Sequence, residues 1–406
     1  MNNQKTSQNK YLIAARFLIG FYIAYNVYLI PIGFFIPRLS IVILILAGVL
    51  TLSSTKITLN SEFRGLLYFI IYAFTTGLLV AVDQGLIIGK TRFLIESFIV
   101  GVIVLNVSKD EKNLKQIIGI FAVGAIVVGV YSFFGVDYMY SNEGRLSLAE
   151  DFNANTFGVM LMYGVWSIIF TLHDEKTSFV RIVIIVFLCL LLLFTIVQTG
   201  SRKSAIGSLL ILVSYAIYVF VGQGKTKKRF SKVLIVPLFI AFIVFVYFKY
   251  IDAFLERSET LMNRMDDIDM AGVGRWGLVK ESFRVWSEHP IFGVGLDNNR
   301  YYTFTKQYAH NSFAEIFACT GLIGAILFFP IFYRMLFFLV NGVSRIKSLL
   351  KFPAKYYMIV LILVYLFVCF TQINIYNQTH MIVTYFILTF ITINSKSNEK
   401  DSQFIV

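Results

Sequence analysis

His310 and Asn311 stand together at the head of an apolar run, and Glu315 lies four residues beyond Asn311 inside it. A neutral imidazole is a suitable general base for a hydroxyl near pH 7. Capping the following helix is the structural alternative for His310. A carboxylate inside an apolar run is expensive without a partner or a task, so Glu315 is expected to orient His310 or to bind a polar substrate. Arg275 follows Gly272 and Gly274 and opens a helical pattern. A glycine-rich turn, an arginine and a helix N-terminus together make a candidate diphosphate clamp. Arg202, in TGSRKSAIG, sits between two apolar runs with Lys203 beside it. It either snorkels to lipid headgroups or binds phosphate, for which its planar fork suits it. Arg145 has a weaker claim, because Glu143 and Glu150 flank it. Arg284 and Arg300 are further substrate-binding candidates. Arg92 and Glu96 are expected to form an i,i+4 ion pair.

These residues need elements to hold them, and the composition says what kind. Of the 406 residues, 57% are hydrophobic and 17% aromatic, and mean hydropathy is +0.74. A soluble chain this apolar would precipitate, so an all-α polytopic integral membrane protein is expected. Apolar runs suggest about twelve spans: 12–30, 37–53, 64–82, 92–107, 114–134, 153–172, 179–197, 204–221, 232–250, a long and broken 311–340, 355–373 and 379–394. The first run has no small-residue cleavage site after it and reads as a retained helix. With the N-terminus inside, inner loops carry roughly 20 Lys and Arg against 6 outside. That places both termini in the cytoplasm and the 251–310 segment outside, as one long extracytoplasmic loop in a single membrane domain spanning 1–406. Within it, Trp276, Val279, Phe283 and Trp286 recur at helical spacing, which suggests a short amphipathic helix on the outer leaflet. Tyr301, Tyr302 and Tyr308 either stack on sugar faces or anchor at the interface.

The net charge of +13 fits both cytoplasmic anchoring and an anionic substrate. The basic run GKTKKR at 224–229 lies between two spans and reads as a topology anchor on anionic lipid, not a nucleic-acid site. Cys189, Cys319 and Cys369 are far apart in apolar runs, with no metal-ligand spacing, so no metal or disulfide is expected.

The spacing of His310-Asn311, nine residues, then Gly321-Leu322-Ile323-Gly324 resembles the bacterial O-antigen ligase/polymerase superfamily, of the Wzy and WaaL type. GRWGLVKESFRVWSEHPIFGVG resembles the family's Arg-Trp…His-Pro segment, and TGSRKSAIG its Ser-Arg element. The stretch from Gly144 to Asn153 is a looser match. The resemblance implies a GT-C-like polytopic glycosyltransferase in the bacterial cytoplasmic membrane, acting on the extracytoplasmic side. It implies a glycan donor carried on undecaprenyl diphosphate, with no cofactor or metal. Carried over, His310 activates the acceptor hydroxyl, while Arg202 and Arg275 hold the diphosphate. A polymerase of repeat units in O-antigen, capsule or exopolysaccharide synthesis is favoured, because it needs no specialised acceptor. A ligase delivering glycan to lipid A core or another surface acceptor shares the chemistry, and a lipid-linked oligosaccharide flippase is the non-enzymatic alternative. Membrane lipids and a chain-length regulator are the further candidate partners.

Overall fold

A computed structural model describes residues 2–134, 146–147, 153–174, 177–221, 275–344 and 349–403. Arg145, the expected span 232–250, the basic run 224–229 and the loop portion 251–274 lie outside the described residues. Every regular element of the described residues is helical. In chain order they are α1 (Asn2–Ala24), α2 (Leu39–Ser54), α3 (Ser61–Val80), α4 (Gln84–Val107), α5 (Glu111–Phe134), α6 (Ala154–Leu172), α7 (Phe179–Gln198) and α8 (Arg202–Val221). Then follow α9 (Arg275–Glu288), α10 (Ser312–Phe328), α11 (Pro330–Val343), α12 (Pro353–Cys369) and α13 (Gln378–Gln403).

Short polar residues start these helices where the sequence offers them. Asn60, Asp83, Asn153, Ser178 and Asn311 each accept a backbone N–H from the first turn that follows. Each thereby satisfies a donor that has no partner inside the helix. The sequence between caps is apolar on all sides, and the helices bury one face on each other while leaving another open. On α2, Ile45 is 58% exposed, Val49 52% and Leu52 67%. Such surfaces suit lipid. α6 is the central helix: it packs against α5, α7, α8 and α12, and nearly all its residues are buried.

Among the described residues, six helices are individually long and apolar enough to cross a membrane, and the bent pair α10–α11 makes a seventh. These helices are compatible with a membrane protein. α2 and α12 are apolar but shorter. α4 carries Lys90, Arg92 and Glu96 within seven residues, and α13 ends in a charged stretch. The expected number of about twelve is therefore not reached by length and composition. The expected break in 311–340 is present, as a 51° bend between α10 and α11 at Pro330.

A second break lies inside α10. Gly321 has φ 62° and ψ −165°, a region essentially confined to glycine. The interrupted helix leaves backbone groups without intrahelical partners, and the 290–295 turn supplies them. Val294 and Gly295 donate to the carbonyls of Ala318 and Cys319, at 3.1 and 2.8 Å. Leu322 donates to the carbonyl of Pro290 at 2.8 Å. Each such bond left unmade in a buried place would cost about 1–3 kcal/mol. Gly293 and Gly295 in the turn and Gly321 in α10, all at positive φ, thus meet in one backbone junction, which fixes the 290–295 turn onto the bundle.

The helix expected in the outer segment is α9. Its face towards the protein is Leu278, Val279, Ser282 and Val285. Trp276 is 69% exposed and Phe283 40%, so the aromatic stripe lies mainly on the open side, while Trp286 packs on Phe317 with ring centroids 4.9 Å apart.

Candidate active site

The starts of α6, α8, α9, α10 and α13 converge on one cavity. It is lined by Asn153 and Thr156, Lys203, Arg275, His310 and Asn377, each in the first residues of those helices, at a cap or, for His310, just before one. Helix N-termini carry partial positive charge and unpaired N–H groups, so five of them around one space favour an anion. The cavity holds about 230 Å³ and opens to one side. Among the described residues, four basic side chains line it: Lys90, Lys203, Arg275 and Arg300. Asp297 is the one carboxylate among the described lining residues.

His310 sits at the end of this wall with φ 49°, a left-handed conformation uncommon outside glycine. Two contacts hold it there. Its ring packs against Tyr308, centroids 4.3 Å apart. On its other side, Asn311 caps α10, accepting from Phe313 and Ala314 at 2.9 and 3.0 Å and donating to the Phe370 carbonyl. Burial, reinforced by the charges of Arg275 and Lys203, pushes His310 down to about 4. The imidazole is therefore neutral at pH 7, as a general base must be.

Glu315 does not touch the imidazole. It is fully buried, and its carboxylate accepts from the Ala309 backbone at 3.1 Å and from Cys319 Sγ at 3.3 Å, with Asn299 at 3.5 Å. It holds the backbone just before His310, and so sets the residue's position through the chain. The sequence left open whether Glu315 orients His310 or binds a polar substrate; its contacts reach the backbone just before His310.

Asp297 organises the opposite wall. It is 2% exposed, and its backbone N–H donates to Tyr376 Oη at 2.9 Å. Its carboxylate takes Lys90 Nζ at 3.0 Å and also pairs with Arg300. Arg300 in turn lies over the Tyr308 ring at 5.6 Å. Arg300, Tyr308 and His310 thus form a stack that starts at Asp297. Lys203 is held differently, donating to Gln372 Oε1 at 2.5 Å. Arg275 has no carboxylate partner among the described residues.

Of the residues singled out in the sequence, Arg275, Arg300 and His310 come together. Arg202 is exposed at the start of α8 and is not in the cavity lining; Lys203, the next residue, is. Arg284 points into a surface network with Glu281 and Glu288 at 3.0 and 2.6 Å, and donates to the Tyr302 carbonyl. Asn311 is a helix cap. Of the three tyrosines only Tyr308 lines the cavity; Tyr301 donates to Asp83 and Tyr302 packs on His289. Among the described residues Arg92 makes no ion pair with Glu96, which accepts instead from Tyr22 Oη at 2.5 Å. Lys90 and Asp297 were not singled out. The available signal was that Lys90 is a cation in a loop that the expected topology leaves poor in cations, and that Asp297 follows the GVG turn.

The family model described as O-antigen ligase, Wzy_C, matches residues 187–329, roughly a third of the chain. That range runs from within α7 to the end of α10 and contains Lys203, Arg275, Asp297, Arg300 and His310. No curated protein matches the chain.

Proposed function

We propose, on the match of residues 187–329 to the O-antigen ligase family model, that the chain transfers a glycan from a polyprenyl diphosphate to a sugar hydroxyl in this cavity, on the extracytoplasmic side of the bacterial cytoplasmic membrane. The observation that carries the reading is the juxtaposition of a neutral His310 with Lys203 and Arg275 in one cavity.

The acceptor hydroxyl gives its proton to His310 as its oxygen bonds to the anomeric carbon of the donor sugar. The bond from that carbon to the diphosphate oxygen breaks on the opposite face, so the configuration inverts. The diphosphate leaves with the electron pair, and Lys203, Arg275 and the helix N-termini around them stabilise its charge. Arg300 and Lys90, neutralised in part by Asp297, hold the far wall. Arg202, one residue before Lys203, is exposed and outside the cavity lining, so the phosphate-binding role expected of it passes to Lys203 in this reading. Side-chain cations take the role that a metal plays in other phosphate chemistry. Holding donor and acceptor in line supplies much of the remaining acceleration.

We take the acceptor to be the next lipid-linked repeat unit, which makes the chain a polymerase. The matched family model carries the description of a ligase, so transfer of a finished chain to lipid A core or another surface acceptor is the second reading. Deleting the gene and sizing the glycans separates them. Single repeat units held on lipid outside the cell, without long chains, support a polymerase. Full-length chains stranded on the lipid diphosphate support a ligase. Single units trapped inside the cell would mean a flippase and overturn the enzymatic reading.

A further inference from the structure

The opposite end of the bundle carries a second polar cavity, of about 400 Å³. It lies where α2 and α4 end, α3 begins and α13 passes Thr392. Lys90 near the active site and Asn106 in this cavity are sixteen residues apart on α4, so the two sites are separated by about 24 Å along the helix. That is most of a membrane's apolar thickness. The charge bias of the sequence assigns this end to the cytoplasm.

Its lining includes Lys56, Thr58, Asn106, Ser108, Lys109 and Thr392. Among the described residues, two cations and no carboxylate line it. The nearest acid in sequence, Asp110, turns away to accept from the Asn113 backbone at 2.8 Å. Asn106 is saturated: it accepts from Thr58 at 2.8 Å and donates to the carbonyls of Thr58 and Val102. Ser108 is not. It is 3% exposed, and its hydroxyl has no hydrogen-bond partner among the described residues. A buried hydroxyl without a partner is costly, and this one lines a cavity flanked by two lysines.

We propose that this cavity binds the phosphate of an anionic phospholipid headgroup, with Lys56 and Lys109 supplying charge and Ser108 a hydrogen bond. Basic pockets between membrane helices take such headgroups elsewhere. The lipid source, rather than free phosphate, is indicated by α2. From Thr55 at the cavity rim, Leu52, Val49 and Ile45 run up one exposed face at helical spacing. An acyl chain hung from a headgroup in the cavity would lie along them. The site is independent of the transfer chemistry proposed above.

The test is native mass spectrometry of the full chain released from detergent with added phosphatidylglycerol, phosphatidylcholine or inorganic phosphate. The wild type should retain phosphatidylglycerol in preference to phosphatidylcholine. Lys56→Gln/Lys109→Gln should weaken that retention roughly thirtyfold, about fivefold for each lysine beside an anionic headgroup. Ser108→Ala should weaken it without lowering the unfolding temperature measured in the absence of lipid. Equal retention of both lipids, or undiminished retention in the double variant, would overturn the proposal. Inorganic phosphate binding in place of the lipid would overturn the lipid assignment.

Discussion

Gly293 and Gly321 meet backbone to backbone: a Cβ on Gly321 would stand 2.7 Å from the Gly293 nitrogen and 2.3 Å from the Ile291 carbonyl oxygen. The contact joins the turn after α9 to the break in α10, and so connects the segment bearing Arg275 and Arg300 to the helix that begins beside His310.

Gly321→Ala is accordingly expected to destabilise the fold severely. The conformation alone costs on the order of 1–3 kcal/mol, and rigid backbone blocks the added methyl. Gly33→Ala is the control, since Gly33 also has positive φ, at 91°, but nothing lies within 4 Å of the added carbon. Unfolding temperatures in detergent should fall much further for Gly321→Ala than for the control. Equal losses would mean that the junction contributes nothing beyond strain.

Breaking the Asp297 network should affect stability and donor binding together. Asp297→Asn leaves Lys90 and Arg300, each about one-third exposed, without their shared carboxylate, a loss of roughly 1.5–3 kcal/mol, the usual worth of hydrogen bonds to a charged group. The unfolding temperature should drop and KM for the donor should change. Adding Lys90→Met to Asp297→Asn should recover part of the stability. Strict additivity of the two substitutions would show that the pair is not coupled.

The pH profile follows from His310. Its ordinary value near 6.5 is depressed to about 4, and the neutral form is the active base. kcat/KM should therefore hold through pH 6 and fall only as pH drops towards 4. Lys203→Gln removes one of the repelling charges, so the acid limb should move to higher pH. Bound diphosphate offsets the same cations, so the limb of kcat should also lie above that of kcat/KM. A limb near 6.5 that ignores Lys203→Gln would contradict the assignment.

Arg284→Gln should be mild. Its partners Glu281 and Glu288 lie at the surface, where such pairs contribute about 0.2–1 kcal/mol. Transfer rates should stay near wild type, whereas Arg275→Gln should raise KM for the lipid-linked donor. A comparable KM increase from Arg284→Gln would place it in the site after all.

The helices were legible because apolar runs are local signals. The break in α10 was legible only in outline. Gly321 and Gly324 marked it, but the turn that satisfies it comes from residues some thirty positions earlier. The site was half legible for the same reason. His310 and Arg275 stand out by type beside a helix start. Arg202 and Lys203 are neighbours, and sequence alone does not say which one the helix turns inward. Lys90 and Asp297 belong to the site through a pairing across some two hundred residues, for which the sequence has no local mark.

The most direct test of the account is glycan transfer by the purified His310→Ala and His310→Gln variants, with membrane levels and unfolding temperature matched to wild type. The account predicts that both lose about 10²–10⁴-fold in kcat, the usual contribution of a positioned general base, while donor binding survives. Near-normal transfer by either folded variant would contradict it and remove His310 from the chemistry.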